Sequence, residues 1–122
     1  MGKKILVVDD SSTVRQQVRI ALSQAGYTVV EAVDGMDGQS KIQANSDLAM
    51  VICDVNMPRM NGLQMLEAVH KSGSAAGVPI VMLTSEAQPA LIRQAKANGA
   101  KGWIVKPFKA EMLVAAVKKL AA

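Results

Sequence analysis

Aromatic side chains are almost missing: one Trp, one Tyr and one Phe make up 2% of 122 residues. Without them there is no platform on which nucleotide bases could stack. Lys and Arg run from Lys3 to Lys119 with no dense cluster. The net charge of +4 therefore describes a mildly basic surface, not a helix built to enter a nucleic-acid groove. A single cysteine, Cys53, excludes an internal disulfide and fits a reducing cytoplasm. Inside an apolar run it reads as a small core hydrophobe. No apolar run approaches the roughly 20 residues that span a bilayer. The start, Met1-Gly2-Lys3-Lys4, leads into a run too short for a secretory signal. Gly2 is no myristoylation site, because position 6 is Leu where Ser or Thr is needed.

What remains is an ordinary globular composition, 50% apolar and 20% charged. The length suits one domain over residues 1–122 with a core of its own. Apolar-rich runs at Lys4 to Val8, Tyr27 to Ala32, Leu48 to Cys53, Pro79 to Leu83 and Gly102 to Val105 read as strands, the run into Asp54 as one buried on both faces. Between and after them lie helical stripes. Val14, Val18, Leu22 and Ala25 form the first, with Ser11, Ser12 and Thr13 as N-cap candidates and Thr13–Gln16 as a capping box. Met36 to Ala44 is the weakest helix, because Gly38 lies inside it. Gly62 opens a helix carrying Leu63, Leu66 and Val69, which ends near Ser72-Gly73, and Ser74 to Val78 reads as a loop. Pro89 suits the first turn of the next helix, and Leu113, Ala116, Val117 and Leu120 mark the last. Five strand–helix alternations imply an α/β fold: a parallel sheet with helices on both faces, joined by right-handed crossovers.

In such a sheet every strand ends on the same edge, and ligands bind there. The residues at those ends are Asp9 and Asp10, Asp54, Thr84 and Lys106. Three carboxylates packed together repel one another unless a cation is present. With no His or Cys nearby in sequence, hard oxygen donors favour Mg²⁺ over zinc. A hydroxyl and an ammonium beside the ion make a place for a tetrahedral dianion, and a central carboxylate can be the nucleophile. Any one Asp after a strand is commonly a turn residue; five such residues on four strand ends are hard to explain that way.

The chain resembles the receiver domains of two-component response regulators over essentially its full length. The matching elements are Val7-Val8-Asp9-Asp10-Ser11, Asp54-Val55-Asn56-Met57-Pro58, Asn61-Gly62, Thr84-Ser85 and Lys106-Pro107-Phe108. The resemblance implies a flavodoxin-like sheet of five parallel strands in the order 2-1-3-4-5 with five helices. It implies that Asp54 is the phosphoacceptor, becoming 4-aspartylphosphate. Asp10, Asp54 and the backbone carbonyl of Asn56 would ligate Mg²⁺, with Mn²⁺ able to substitute, and Asp9 would act through a metal-bound water. Lys106 would pair with Asp54 and then with the phosphoryl oxygens, and Lys106-Pro107 would be a cis peptide. Thr84 would hold the phosphoryl group and couple to Trp103, where Tyr or Phe is more usual. Asn56 and Glu86 would tune hydrolysis.

The implied reaction is phosphoryl transfer from a sensor histidine kinase, followed by self-catalysed hydrolysis, in a signalling domain of the cytoplasm. The element around Asp9-Asp10 and the Asn56/Glu86 pair are most similar to chemotaxis-type receivers, whose output partner is a flagellar motor switch protein; a separate phosphatase is a further expected partner. Because the chain stops after its last helix, a stand-alone receiver is expected, with a phosphorelay shuttle or a receiver cut from a larger regulator as alternatives. His70, far from the strand ends, reads as a surface residue. A haloacid-dehalogenase-type phosphatase, suggested by Asp54 and Asn56, lacks its acid, since Asn cannot donate that proton.

Overall fold

The computed structural model describes residues 2–73 and 77–121. Elements alternate as the apolar runs require: β1 (Lys4–Val8), α1 (Ser12–Gln24), β2 (Thr28–Ala32), α2 (Gly35–Ala44), β3 (Leu48–Cys53), α3 (Gly62–Ser72), β4 (Ile80–Thr84), α4 (Pro89–Ala97), β5 (Gly102–Val105) and α5 (Ala110–Leu120). The strands form one sheet in the order β2-β1-β3-β4-β5, and every neighbouring pair is parallel.

Successive strand residues point to opposite faces, which splits the core in two. Leu6 and Val8, Val51 and Cys53, and Ile80 and Met82 meet Ile42 of α2, Leu66 and Val69 of α3 and Ala95 of α4. Ile5 and Val7, Met50 and Ile52, and Val81 and Leu83 meet Val18 and Leu22 of α1 and Leu113 and Val117 of α5. Apart from Lys4 at the start of β1 and Thr84 at the end of β4, the central strands are apolar because both faces are covered.

The expected capping box and two strand starts are corrected: β2 begins at Thr28, one residue after Tyr27. The N-cap of α1 is Ser11, whose hydroxyl accepts from the Val14 amide at 3.3 Å, while Thr13 and Gln16 lie within the helix and form no capping box. The capping box belongs to α3, where Asn61 and Gln64 exchange hydrogen bonds of 2.8 and 2.9 Å. Strand β4 starts one residue later than its apolar run and takes in Thr84. Part of the expected 74–78 loop lies outside the described residues. Gly38, which weakens α2 on propensity, is a packing requirement: a Cβ there would stand 2.8 Å from Met65 Sδ and 2.9 Å from Val8 Cγ2.

Candidate phosphoacceptor site

At the carboxyl edge of the sheet, Asp9 and Asp10 follow β1, Asp54 follows β3, Thr84 closes β4 and Lys106 follows β5. Carboxylate oxygens of Asp9, Asp10 and Asp54 all lie within 4.8 Å of one another. Asp9 and Asp54 are buried, and Asp10 is exposed. Lys106 Nζ donates to Asp9 Oδ2 at 2.8 Å and to Asp54 Oδ2 at 3.2 Å. Asp9 is the most heavily engaged of the three: its Oδ1 also accepts from the Ser11 amide at 2.9 Å, and its carbonyl accepts from Arg15 Nη1 at 2.6 Å. Asp54 Oδ1 accepts from the Val55 amide at 2.7 Å.

The electrostatics are those of a site short of positive charge. Burial, helped by the Asp54 charge, pushes Asp9 above its ordinary value despite the hydrogen bonds from Lys106 and Ser11. Burial works against a charged Lys106, but its hydrogen bond to Asp9 and the charges of Asp9 and Asp54 outweigh it and hold the ammonium above its usual range. One ammonium faces three carboxylates, so the donor set fits a divalent cation of the hard, oxygen-binding kind.

The loop after β4 is tied in by one residue. The Glu86 amide donates to Thr84 Oγ1 at 3.2 Å, its carboxylate accepts from Asn56 Nδ2 at 2.9 Å, and its carbonyl accepts from Trp103 Nε1 at 2.8 Å. Trp103 is half-buried beside the core cluster that includes α4. The Lys106-Pro107 peptide is cis. Thus Asp9, Asp10, Asp54 and Lys106 are brought together, and Asn56, Thr84 and Trp103 are joined through Glu86. His70 lies exposed in the last turn of α3, away from this edge. Burial first, and then the charges of Asp54 and Asp9, push the Cys53 thiol far up, which leaves it inert.

Two participants escaped sequence reasoning. Arg15 reaches the Asp9 carbonyl from the first turn of α1, and Arg59 pairs with Asp34 across 25 positions. Neither carries a local signal, since a lone arginine on an amphipathic helix or in a loop reads as surface charge.

The family model described as the response regulator receiver domain matches residues 5–118. The chain belongs to that family. Among curated relatives, the chemotaxis protein CheY1 of Helicobacter pylori is 41% identical over 111 residues, 90% of each chain. The chemotaxis protein CheY homolog of Campylobacter jejuni is 38% identical over 90% of this chain and 85% of its own. Among solved structures, the Vibrio cholerae chemotaxis protein CheY4 superposes with a TM-score of 0.90 at 40% identity, covering 98% of this chain and 99% of that one. The strand-end carboxylates, hydroxyl and lysine of this receiver thus sit in a fold shared with chemotaxis response regulators. Among the described residues no helix is long and apolar enough to cross a membrane.

Proposed function

We propose that this receiver, as a single domain spanning residues 1–122, accepts a phosphoryl group on Asp54 and acts in a chemotaxis-type pathway of the cytoplasm. The observation that carries the reading is the contact of one ammonium, Lys106, with both Asp9 and Asp54, beside a third carboxylate on Asp10. Asp10, Asp54 and the Asn56 carbonyl would hold Mg²⁺, or Mn²⁺ in its place. Asp9, which takes the shorter of the two Lys106 contacts, 2.8 Å against 3.2 Å for Asp54, would act through a bound water. When bound, the ion supplies charge neutralisation and a hold on a phosphoryl oxygen.

An Asp54 oxygen attacks the phosphorus of a kinase phosphohistidine; the new O–P bond forms as the N–P bond breaks, and the electron pair leaves with the imidazole nitrogen. Lys106 shifts its donors from Asp54 to the phosphoryl oxygens. Thr84 turns its hydroxyl to the phosphoryl group and gives up the Glu86 amide. Water then attacks the acyl phosphate, and the receiver catalyses its own reset. Asn56 and Glu86, hydrogen-bonded to each other at 2.9 Å, orient that water and give the phosphorylated state a short life.

The donor is a sensor histidine kinase; a cleft lined by Val14, Ile20, Pro107 and Phe108 opens beside Lys106 on the approach to the site. The output surface is α4, β5 and α5, where Val105 and Met112 are exposed, and its partner is a flagellar motor switch protein. Release of Thr84 reaches that surface through Glu86 and Trp103. A separate phosphatase would speed the reset.

The test is intact-mass spectrometry after incubation with Mg²⁺ and acetyl phosphate. One added phosphoryl, lost in Asp54→Asn and with EDTA, is expected. Unchanged labelling of Asp54→Asn would move the acceptor elsewhere.

A further inference from the structure

We propose that Arg59 and Asp34 are a positioning pair that fixes the loop between β3 and α3, so that the Asn56 carbonyl is presented to the cation. The inference rests on the metal reading given under Proposed function. Arg59 has φ +65°, and among the described residues it is the one non-glycine residue with positive φ. For an L residue this conformation crowds Cβ against the carbonyl, so something must hold it. Arg59 Nε and Nη2 both meet Asp34 Oδ2, at 2.7 and 2.6 Å. The Asp34 side chain is 4% exposed, and its Oδ1 accepts from the Asp37 amide at 2.8 Å. One buried carboxylate therefore caps α2 and anchors the loop arginine together.

The loop is pinned at two points. At its tip the Gly35 amide donates to the Met60 carbonyl at 2.9 Å, and a Cβ on Gly35 would stand 2.5 Å from that oxygen. At its base the Gly62 amide donates to the Val55 carbonyl at 2.9 Å, and a Cβ on Gly62 would collide with the Asp54 carbonyl oxygen. Asn56 lies between these pins. A ligand oxygen from the main chain has no rotamer to adjust, so only the path of the loop places it. Mg²⁺ demands near-octahedral geometry, which makes that path consequential.

The experiment is a Mg²⁺ titration of the full chain, followed by the amide NMR shifts of Val55 and Asn56, in wild type, Arg59→Gly and Asp34→Asn, with urea unfolding measured in parallel without metal. Both variants should bind Mg²⁺ about tenfold more weakly, the low end of what outer partners of a metal site cost. In Arg59→Gly the relief of the left-handed backbone works against the loss of the guanidinium on buried Asp34, so the urea midpoint should move little. Asp34→Asn should keep α2 capped, since Asn caps as well as Asp. A purely structural pair would instead lower the urea midpoint and leave Mg²⁺ affinity alone. Unchanged affinity in both variants, with wild type binding normally, overturns the pair. A wild-type chain that ignores millimolar Mg²⁺ overturns the metal reading and the pair's role with it.

Discussion

The Trp103 indole nitrogen stands 2.8 Å from the backbone carbonyl of Glu86, so the only tryptophan in the chain is hydrogen-bonded to the loop that follows Thr84. The Glu86 amide in turn holds the Thr84 hydroxyl at 3.2 Å. Beryllofluoride with Mg²⁺, standing in for the phosphoryl group, should draw Thr84 away and shift Trp103 emission. In Thr84→Ala the shift should shrink or vanish. An undiminished shift in that variant would show that Trp103 senses the site by another route.

Lys106 sits between Asp9, 2% exposed in its side chain, and Asp54, 8% exposed. Lys106→Ala leaves two buried carboxylates without their ammonium, and removing one partner of a buried ion pair costs about 3–5 kcal/mol. Urea unfolding without metal should register a loss of that size. Saturating Mg²⁺ should recover much of it, because a cation supplies the missing charge. An equal loss with and without Mg²⁺ would separate the ion from these carboxylates.

Gly38→Ala sets two effects against each other. Helix propensity favours alanine by about 1 kcal/mol. The added Cβ, however, would stand 2.9 Å from a Val8 methyl in the middle of the sheet and 2.8 Å from Met65 Sδ. Met65 is flexible and can yield, but Val8 is β-branched and strand-bound, and overpacking of this kind costs about 1–3 kcal/mol. A net loss of about 1 kcal/mol is expected in urea unfolding. A variant more stable than wild type would mean that α2 and α3 separate freely.

Glu31 of β2 receives Arg19 Nη1 at 2.6 Å and Arg15 Nε at 3.1 Å from α1. Burial disfavours its charge, yet the hydrogen bonds from Arg19 and Arg15, and then their charges, outweigh it and hold Glu31 below its ordinary 4.5. A carboxylate depressed in the folded state stabilises above its unfolded value, and that stability is lost as pH falls through the lower folded value. Glu31→Gln should therefore flatten the acid limb of stability from about pH 5 downward. An acid limb as steep as that of wild type would place the acid-sensitive pairing elsewhere.

Most of the fold and much of the site were legible without coordinates. Ile5 to Val8 and Leu48 to Cys53 are apolar throughout because both faces of a central parallel strand are covered, and five apolar-rich runs alternating with helical stripes leave few architectures. Parallel topology then sends Asp9, Asp10, Asp54, Thr84 and Lys106 to one edge, so composition and order sufficed to gather them. The Asp34–Arg59 pair, the Glu86 hub and the demand for Gly38 were not legible. Each joins segments brought together by packing, and a long polar side chain in a loop has the same local sequence whether it hangs in water or reaches a buried carboxylate. Pattern determines which elements form and which way they face. Only the packed chain decides which of their side chains meet, because that depends on distances between elements that no local periodicity encodes.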